Sequence, residues 1–314
     1  MSQVPDIIPP SELRSLSTVL DEALSLLNGQ ESPGSEQHAV AEAVQPSLFE
    51  QCIELCRQGG QELEPIRTIH HLSGTGGTLI TKCLAAMPNV MVLNEVDPLS
   101  TMQFKPEQPA FTPTDMLALV RQGNHKASDE LLIHLFLQNL ELLRKDLSSA
   151  GKRLLVRDHC HSHFLDGPLV RRRTSVLSMV AEHFATHSIL TVRNPLDSYL
   201  SLVSIGWIKF QPPTFDEYCR RYMLFLDGHE GLPVFKYETF VDEPAATMEQ
   251  MCAALRLRYS ASFTETFDVF RFSGDSGRSG VTIKRRPRRL HDDAFLDEAK
   301  ASVSYRLLVD RLAY

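Results

Sequence analysis

The stretch HLSGTGGTLITK, residues 71–82, places three glycines and three threonines directly after an apolar run containing Ile66, Ile69 and Leu72. Small residues in such a turn leave successive backbone N–H groups open, and a helix starting there adds its positive end. The chemistry this suits is the holding of a phosphate. Gly74, Gly76 and Gly77 supply the open backbone, and Ser73, Thr75 and Thr78 supply hydroxyls. A nucleoside-triphosphate loop continues from its last glycine with Lys and then Ser or Thr; here Thr78 and Leu79 follow Gly77, which argues against ATP or GTP hydrolysis. A second stretch, VRNPLDSYLSL, ends an apolar run at Arg193 and places Ser201 eight residues later. Pro195 and Asp197 suit a helix start between them. Arg193 and Ser201 are therefore candidates to share a phosphate across that turn.

These residues need a scaffold that brings them together. Apolar runs at 66–72, 90–93, 153–159, 188–193 and 232–238 predict strands. Helical patterns fall between them, at about 78–87, 129–149, 168–186, 196–205 and 214–228. Thr214 and Glu217 have the spacing of a capping box. Strands alternating with helices predict an α/β fold, with a mainly parallel central sheet flanked by helices. Ligands of such sheets bind at the carboxyl ends of the strands. Four runs end in polar groups there: the Gly-rich loop, NEVD, RDHCHSH and RNP.

Residues 61–314 are read as this nucleotide-binding domain and 1–60 as a helical N-terminal extension. Leu13, Leu16, Leu20, Leu24 and Leu27 line one face of a predicted helix at 11–28, and a second helix is expected near 46–58. Their apolar faces need cover, on the domain or on a second subunit, so a homo-oligomer through these helices is one expectation.

A formal net charge of -7 argues against nucleic acid as a partner, which normally needs a basic face. No apolar run is long enough for a membrane span, and no signal segment opens the chain. The six cysteines are scattered without a C-x-x-C pair, so a reducing, cytoplasmic setting is expected. His159, His161 and His163 alternate and on a strand would share a face, as metal ligands do. The triplet falls where a strand should give way to a loop, and no metal is expected.

Taken in order, the motifs resemble those of the sulfotransferases that use 3′-phosphoadenosine 5′-phosphosulfate (PAPS). VRNPLDSYLSL is similar to their 3′-phosphate motif R-[DN]-P-x-D-x-x-x-S, and the 71–82 loop to their 5′-phosphosulfate loop. GTLITKCLAAMPNVMVLNEVDP is closest to the tyrosylprotein sulfotransferase pattern, and LPVFKYETFVDEP to the family's late strand. The resemblance covers roughly 65–245. It implies a P-loop-like sulfotransferase architecture, PAPS as donor, and a small-molecule, saccharide or peptide acceptor with a hydroxyl or amine. It also implies site residues. Arg157-x-His159 stands where cytosolic members carry Lys-x-His, which makes His159 the expected base. Glu95, at the position of the tyrosylprotein branch's glutamate, is the second candidate. Many members carry Lys or Arg where Leu72 stands, and Arg157 is expected to supply the missing cation. A late Gly- and Arg-containing loop suggests Arg278 and Ser279 as further nucleotide ligands. Arg285, Arg286, Arg288 and Arg289 are candidates for an anionic acceptor. The rival readings are a P-loop kinase-like phosphotransferase and a non-catalytic PAP(S)-binding protein.

Overall fold

The computed structural model describes Ser47 and residues 63–314, apart from 103–110, 275–281, 290 and 292. The N-terminal helices expected at 11–28 and 46–58 lie, Ser47 apart, outside the described residues.

The unit Leu63–Tyr314 is built on a five-stranded sheet. Its strands are β1 (Ile66–His70), β2 (Val90–Val96), β3 (Arg153–Asp158), β5 (Thr186–Val192) and β7 (Val234–Lys236), in the order β2-β3-β1-β5-β7. Every neighbouring pair is parallel. A separate parallel pair is formed by β4 (Asp166–Gly167) and β6 (Lys209–Phe210). Strand β1 sits at the centre and is wholly buried, as expected of a parallel strand covered on both faces.

Two apolar clusters show how the faces are covered. Ile69, Leu155 and Ile189 from three adjacent strands pack with Ile80 and Leu84 of the helix Gly77–Ala85 and Met248 and Met251 of the helix Pro244–Ala254. Ile66, Leu154 and Val156 pack with Leu132, Phe136 and Leu140 of the helix Asp129–Ser149 and Val180 of the helix Val176–His183. A third cluster joins Leu72, Leu190 and Val192 to the aromatic face of the helix Phe215–Asp227.

The expected α/β class is the observed one. The helix expected over 168–186 is shorter, Val176–His183, because Ser175 caps it and accepts from the Ser178 N–H. Half of the capping box forms: the Thr214 hydroxyl accepts from the Glu217 N–H at 3.2 Å, while the Glu217 carboxylate turns to Arg220 and Arg221. The run expected as a strand to 159 ends at Asp158, and Cys160–Phe164 is helical. His161 and His163, two apart on this helix, point about 200° from each other, so the triplet does not line one face as it would on a strand. No helix among the described residues is long and apolar enough to cross a membrane.

Candidate functional site

One cavity at the carboxyl ends of the strands gathers most of the residues singled out by the sequence. Ser73, Gly74, Gly76, Gly77 and Thr78 line it, with Arg193, Ser201, Arg157 and Glu95. Lys284, Arg286, Tyr237 and Trp207 complete a wall that is strongly cationic and partly aromatic.

The loop's glycines are required by close approaches. Gly74 has φ +84°, and a Cβ there would lie 2.7 Å from the Ser198 carbonyl. Gly76 has φ +87°, and its Cβ would overlap the Tyr237 ring. Gly77 begins the helix, and its Cβ would overlap the His71 imidazole. The bare backbone therefore faces the cavity between two fixed rings. Gly76→Ala and Gly77→Ala are each expected to cost about 1–3 kcal/mol of folding stability, from the disfavoured φ in the first case and overpacking in both. Denaturant unfolding measures this; wild-type midpoints for both variants would show that the rings yield freely. Thr75 takes another role. Its side chain is buried, its hydroxyl donates to the Leu72 carbonyl at 2.7 Å, and it does not line the cavity. It closes the turn.

Arg193 follows β5 and donates from Nη1 to the Gly74 carbonyl at 2.9 Å. Its guanidinium also lies over the Tyr237 ring, 4.9 Å from the centroid. The second motif is thus held against the first. The helix Pro195–Ser204 starts beside it, with the Asn194 side chain accepting from the Leu196 N–H, and it carries Ser201 to the same cavity. The Asn194 N–H donates to Glu238 at 3.0 Å, which fixes the strand-to-helix turn.

A cation reaches the loop from the other wall. Leu72 is fully buried in the third core cluster. Arg157, at the end of β3, reaches the loop instead: Nη2 donates to the Thr78 hydroxyl at 3.0 Å. Nη1 donates to the Asn94 amide oxygen at 2.7 Å, and Nε donates to His71 Nε2 at 3.0 Å. Burial, and then the neighbouring Arg157, push the His71 imidazole well below its usual pKa. It therefore stays neutral and able to accept from Arg157.

Glu95 is placed by an irregularity in β2. The register against β3 shifts between Leu93 and Val96, and Glu95 has φ +56°. For a residue with a Cβ this conformation is disfavoured, costing about 1–3 kcal/mol, and such residues collect at functional sites. Its carboxylate lies 3.5 Å from Arg157 Nη2 and accepts from the Ser273 hydroxyl at 2.7 Å. The Asn94 amide also donates to Ser273 Oγ at 2.8 Å, and the Thr78 hydroxyl donates to the Gly274 carbonyl at 3.1 Å. Residues 273 and 274 thus join the two walls.

His159 is not among the cavity's lining residues. It caps the helix Cys160–Phe164, and its N–H donates to the Val96 carbonyl at 3.0 Å. Because the chain turns helical straight after Asp158, residue 159 leaves the strand end that Arg157 occupies. His161 is buried against Trp207, and burial pushes its pKa down to about 3; His163 lies beside the Arg171 carbonyl. Arg278 and Ser279 lie outside the described residues. Of the late basic residues, Arg285 pairs with Asp242 and Arg288 with Asp197, whereas Lys284 and Arg286 reach the cavity.

Sequence reasoning passed over several lining residues. His71 was legible only as part of the loop, and Tyr237 only as part of the late strand motif. Lys284 was one of many basic residues. Trp207 carried no local signal.

No protein-family model matches the sequence, and no curated protein matches it. Among solved structures, the chain is similar to the sulfotransferase domain from the curacin biosynthetic pathway, at 16% identity and a TM-score of 0.49 over 80% of this chain and 98% of that one. It is also similar to the sulfotransferase domain of the Synechococcus PCC 7002 olefin synthase, at 16% identity and a TM-score of 0.48 over 80% and 95%. A third similar structure is mouse sulfotransferase SULT7A1 complexed with PAP, at 11% identity and a TM-score of 0.38 over 80% and 83%.

Proposed function

We propose that this chain transfers a sulfuryl group from PAPS to a hydroxyl or amine of an acceptor, which is a small molecule, saccharide or peptide. The observation that carries the reading is the cavity in which the loop 73–78, Arg193, Ser201, Arg157 and Glu95 meet. The residues present fit the donor. Gly76 and Gly77, where a Cβ would meet the Tyr237 and His71 rings, leave bare backbone at the N-terminus of a nine-residue helix, which suits the 5′-phosphosulfate end. Arg193 and Ser201 supply a cation and a hydroxyl for the 3′-phosphate. Bound PAPS brings the activated sulfuryl group; this chain's residues hold it, place the acceptor and take its proton.

Within that reading Glu95 is the base and Arg157 the cation facing the transferring group. Both line the cavity, 3.5 Å apart, whereas His159 does not line it. An ordered cation beside the migrating group stabilises charge that develops in transfer, and a carboxylate within reach of the acceptor takes its proton.

Calorimetric titration with PAP and with adenosine 5′-phosphosulfate tests the nucleotide assignment. PAP should bind far more tightly, because a charge-assisted contact to the 3′-phosphate is worth about 1.5–3 kcal/mol, roughly tenfold or more. Arg193→Ala should remove most of that difference. Equal affinities in the wild type would refute the assignment, and tighter binding of ATP with magnesium would favour a phosphotransferase. Acceptor screening with radiolabelled PAPS then identifies what is sulfated.

A further inference from the structure

Behind the cavity wall, four side chains that do not line the cavity meet in the interior: His70 at the end of β1, Asp158 at the end of β3, Cys160 just beyond it, and His229 after the helix Phe215–Asp227. All four are buried, and one nitrogen, oxygen or sulfur from each lies within 4.8 Å of the others. His70 Nδ1 is 2.8 Å from Asp158 Oδ2, and His229 Nε2 is 3.9 Å from the same oxygen. The two rings pack at a centroid distance of 4.7 Å.

The contacts of the outward-facing ring nitrogens place the outer protons. His229 Nδ1 lies 2.7 Å from the Phe225 carbonyl, which only accepts, so that nitrogen carries its proton. His70 Nε2 lies 2.7 Å from the Thr68 hydroxyl, whose own proton goes to Ser188 Oγ at 2.7 Å. Thr68 therefore accepts from His70. With those outer protons placed, His70 Nδ1 and His229 Nε2 are left to converge on the Asp158 carboxylate beside the Cys160 sulfur. His229 Nε2 is buried and makes no hydrogen bond to the described residues. A buried carboxylate met by two imidazole nitrogens and a sulfur needs a cation among them, a shared proton or a metal ion.

We propose that His70 Nδ1, His229 Nε2, an Asp158 oxygen and Cys160 Sγ form a four-ligand site for a zinc-class divalent ion. Two imidazoles, a carboxylate and a thiolate match the ligand types and number of a closed tetrahedral zinc site. Their two negative charges neutralise the ion, which suits a buried position. Outer N–H groups donated to a backbone carbonyl and a hydroxyl are the second-shell contacts that orient ligating histidines. Loading draws the four atoms inward to bond lengths of about 2.0–2.3 Å and displaces the thiol proton to solvent. The site ties the end of β1, the end of β3 and the segment after the helix Phe215–Asp227. His70 adjoins His71 and Asp158 adjoins Arg157, so the ion fixes the two strand ends that place the cavity's His71–Arg157 pair.

The test uses the full chain, purified without a metal-affinity tag. Elemental analysis should find about one zinc per chain, or chelator-treated folded protein should take up one, with a rise in thermal midpoint. Cobalt(II) substituted for zinc should give tetrahedral visible bands and a thiolate charge-transfer band. Cys160→Ser, close to isosteric, should fold, lose that charge-transfer band and bind zinc at least about tenfold more weakly. His229→Gln should weaken zinc in the same way, with its fold checked by circular dichroism. Folded wild-type protein that holds no metal and does not respond to zinc overturns the site, leaving protons as the shared cation. Zinc bound with unchanged affinity and spectrum by Cys160→Ser overturns it equally.

Discussion

Glu95→Gln should lower turnover by a factor on the order of 10²–10⁴ while PAP binding stays as in the wild type, since a base acts on the acceptor and not on the donor nucleotide. The amide keeps the size and the contact with Ser273 but cannot take a proton. His159→Ala should retain measurable turnover, because His159 caps a short helix and does not line the cavity. The two variants reverse the expectation drawn from the Lys-x-His resemblance. A dead His159→Ala beside an active Glu95→Gln would restore the histidine as base.

Arg157→Ala should be as damaging, with turnover reduced by about 10²–10³ and PAP affinity largely kept. With Leu72 buried in the core, Arg157 brings the guanidinium that reaches the loop at Thr78. His71 should then prove a positioning residue. Its Nε2 accepts from Arg157 Nε at 3.0 Å, and its ring lies against Gly77. His71→Leu leaves the Arg157 Nε–H without that acceptor and frees the guanidinium to shift. An ångström of misplacement can cost about 10² in rate, so kcat should fall with little change in KM. His71→Gln, which keeps an acceptor oxygen, should recover much of the loss. If His71→Leu has wild-type kcat, or if His71→Gln is no better than His71→Leu, the positioning role is lost. Parallel falls in kcat and thermal midpoint for both variants would mark His71 as structural only.

Local sequence carried the elements and the phosphate grammar of the site. Glycines at 74, 76 and 77 after an apolar run, and Arg193 with Pro195, Asp197 and Ser201, are short-range patterns whose backbone consequences act within a turn or two. The helix Asp129–Ser149 was legible to its ends, since Ser128 caps it and its apolar period runs unbroken. The choice between Glu95 and His159 was not legible, because each ends an apolar run beside polar residues. Their different places relative to the cavity follow from two features that depend on neighbouring strands and on the turn beyond them. One is the register shift that throws Glu95 into a left-handed conformation; the other is the helical turn at Cys160 that carries His159 away from the strand end. The contact between His71 and Arg157 spans 86 residues, and the approach of Asp158 to His229 spans 71. Spacing along a chain does not reveal such pairs. Strand order β2-β3-β1-β5 puts β1 beside β3, and only that neighbourhood, with the helix Phe215–Asp227 packed behind it, brings those side chains within reach.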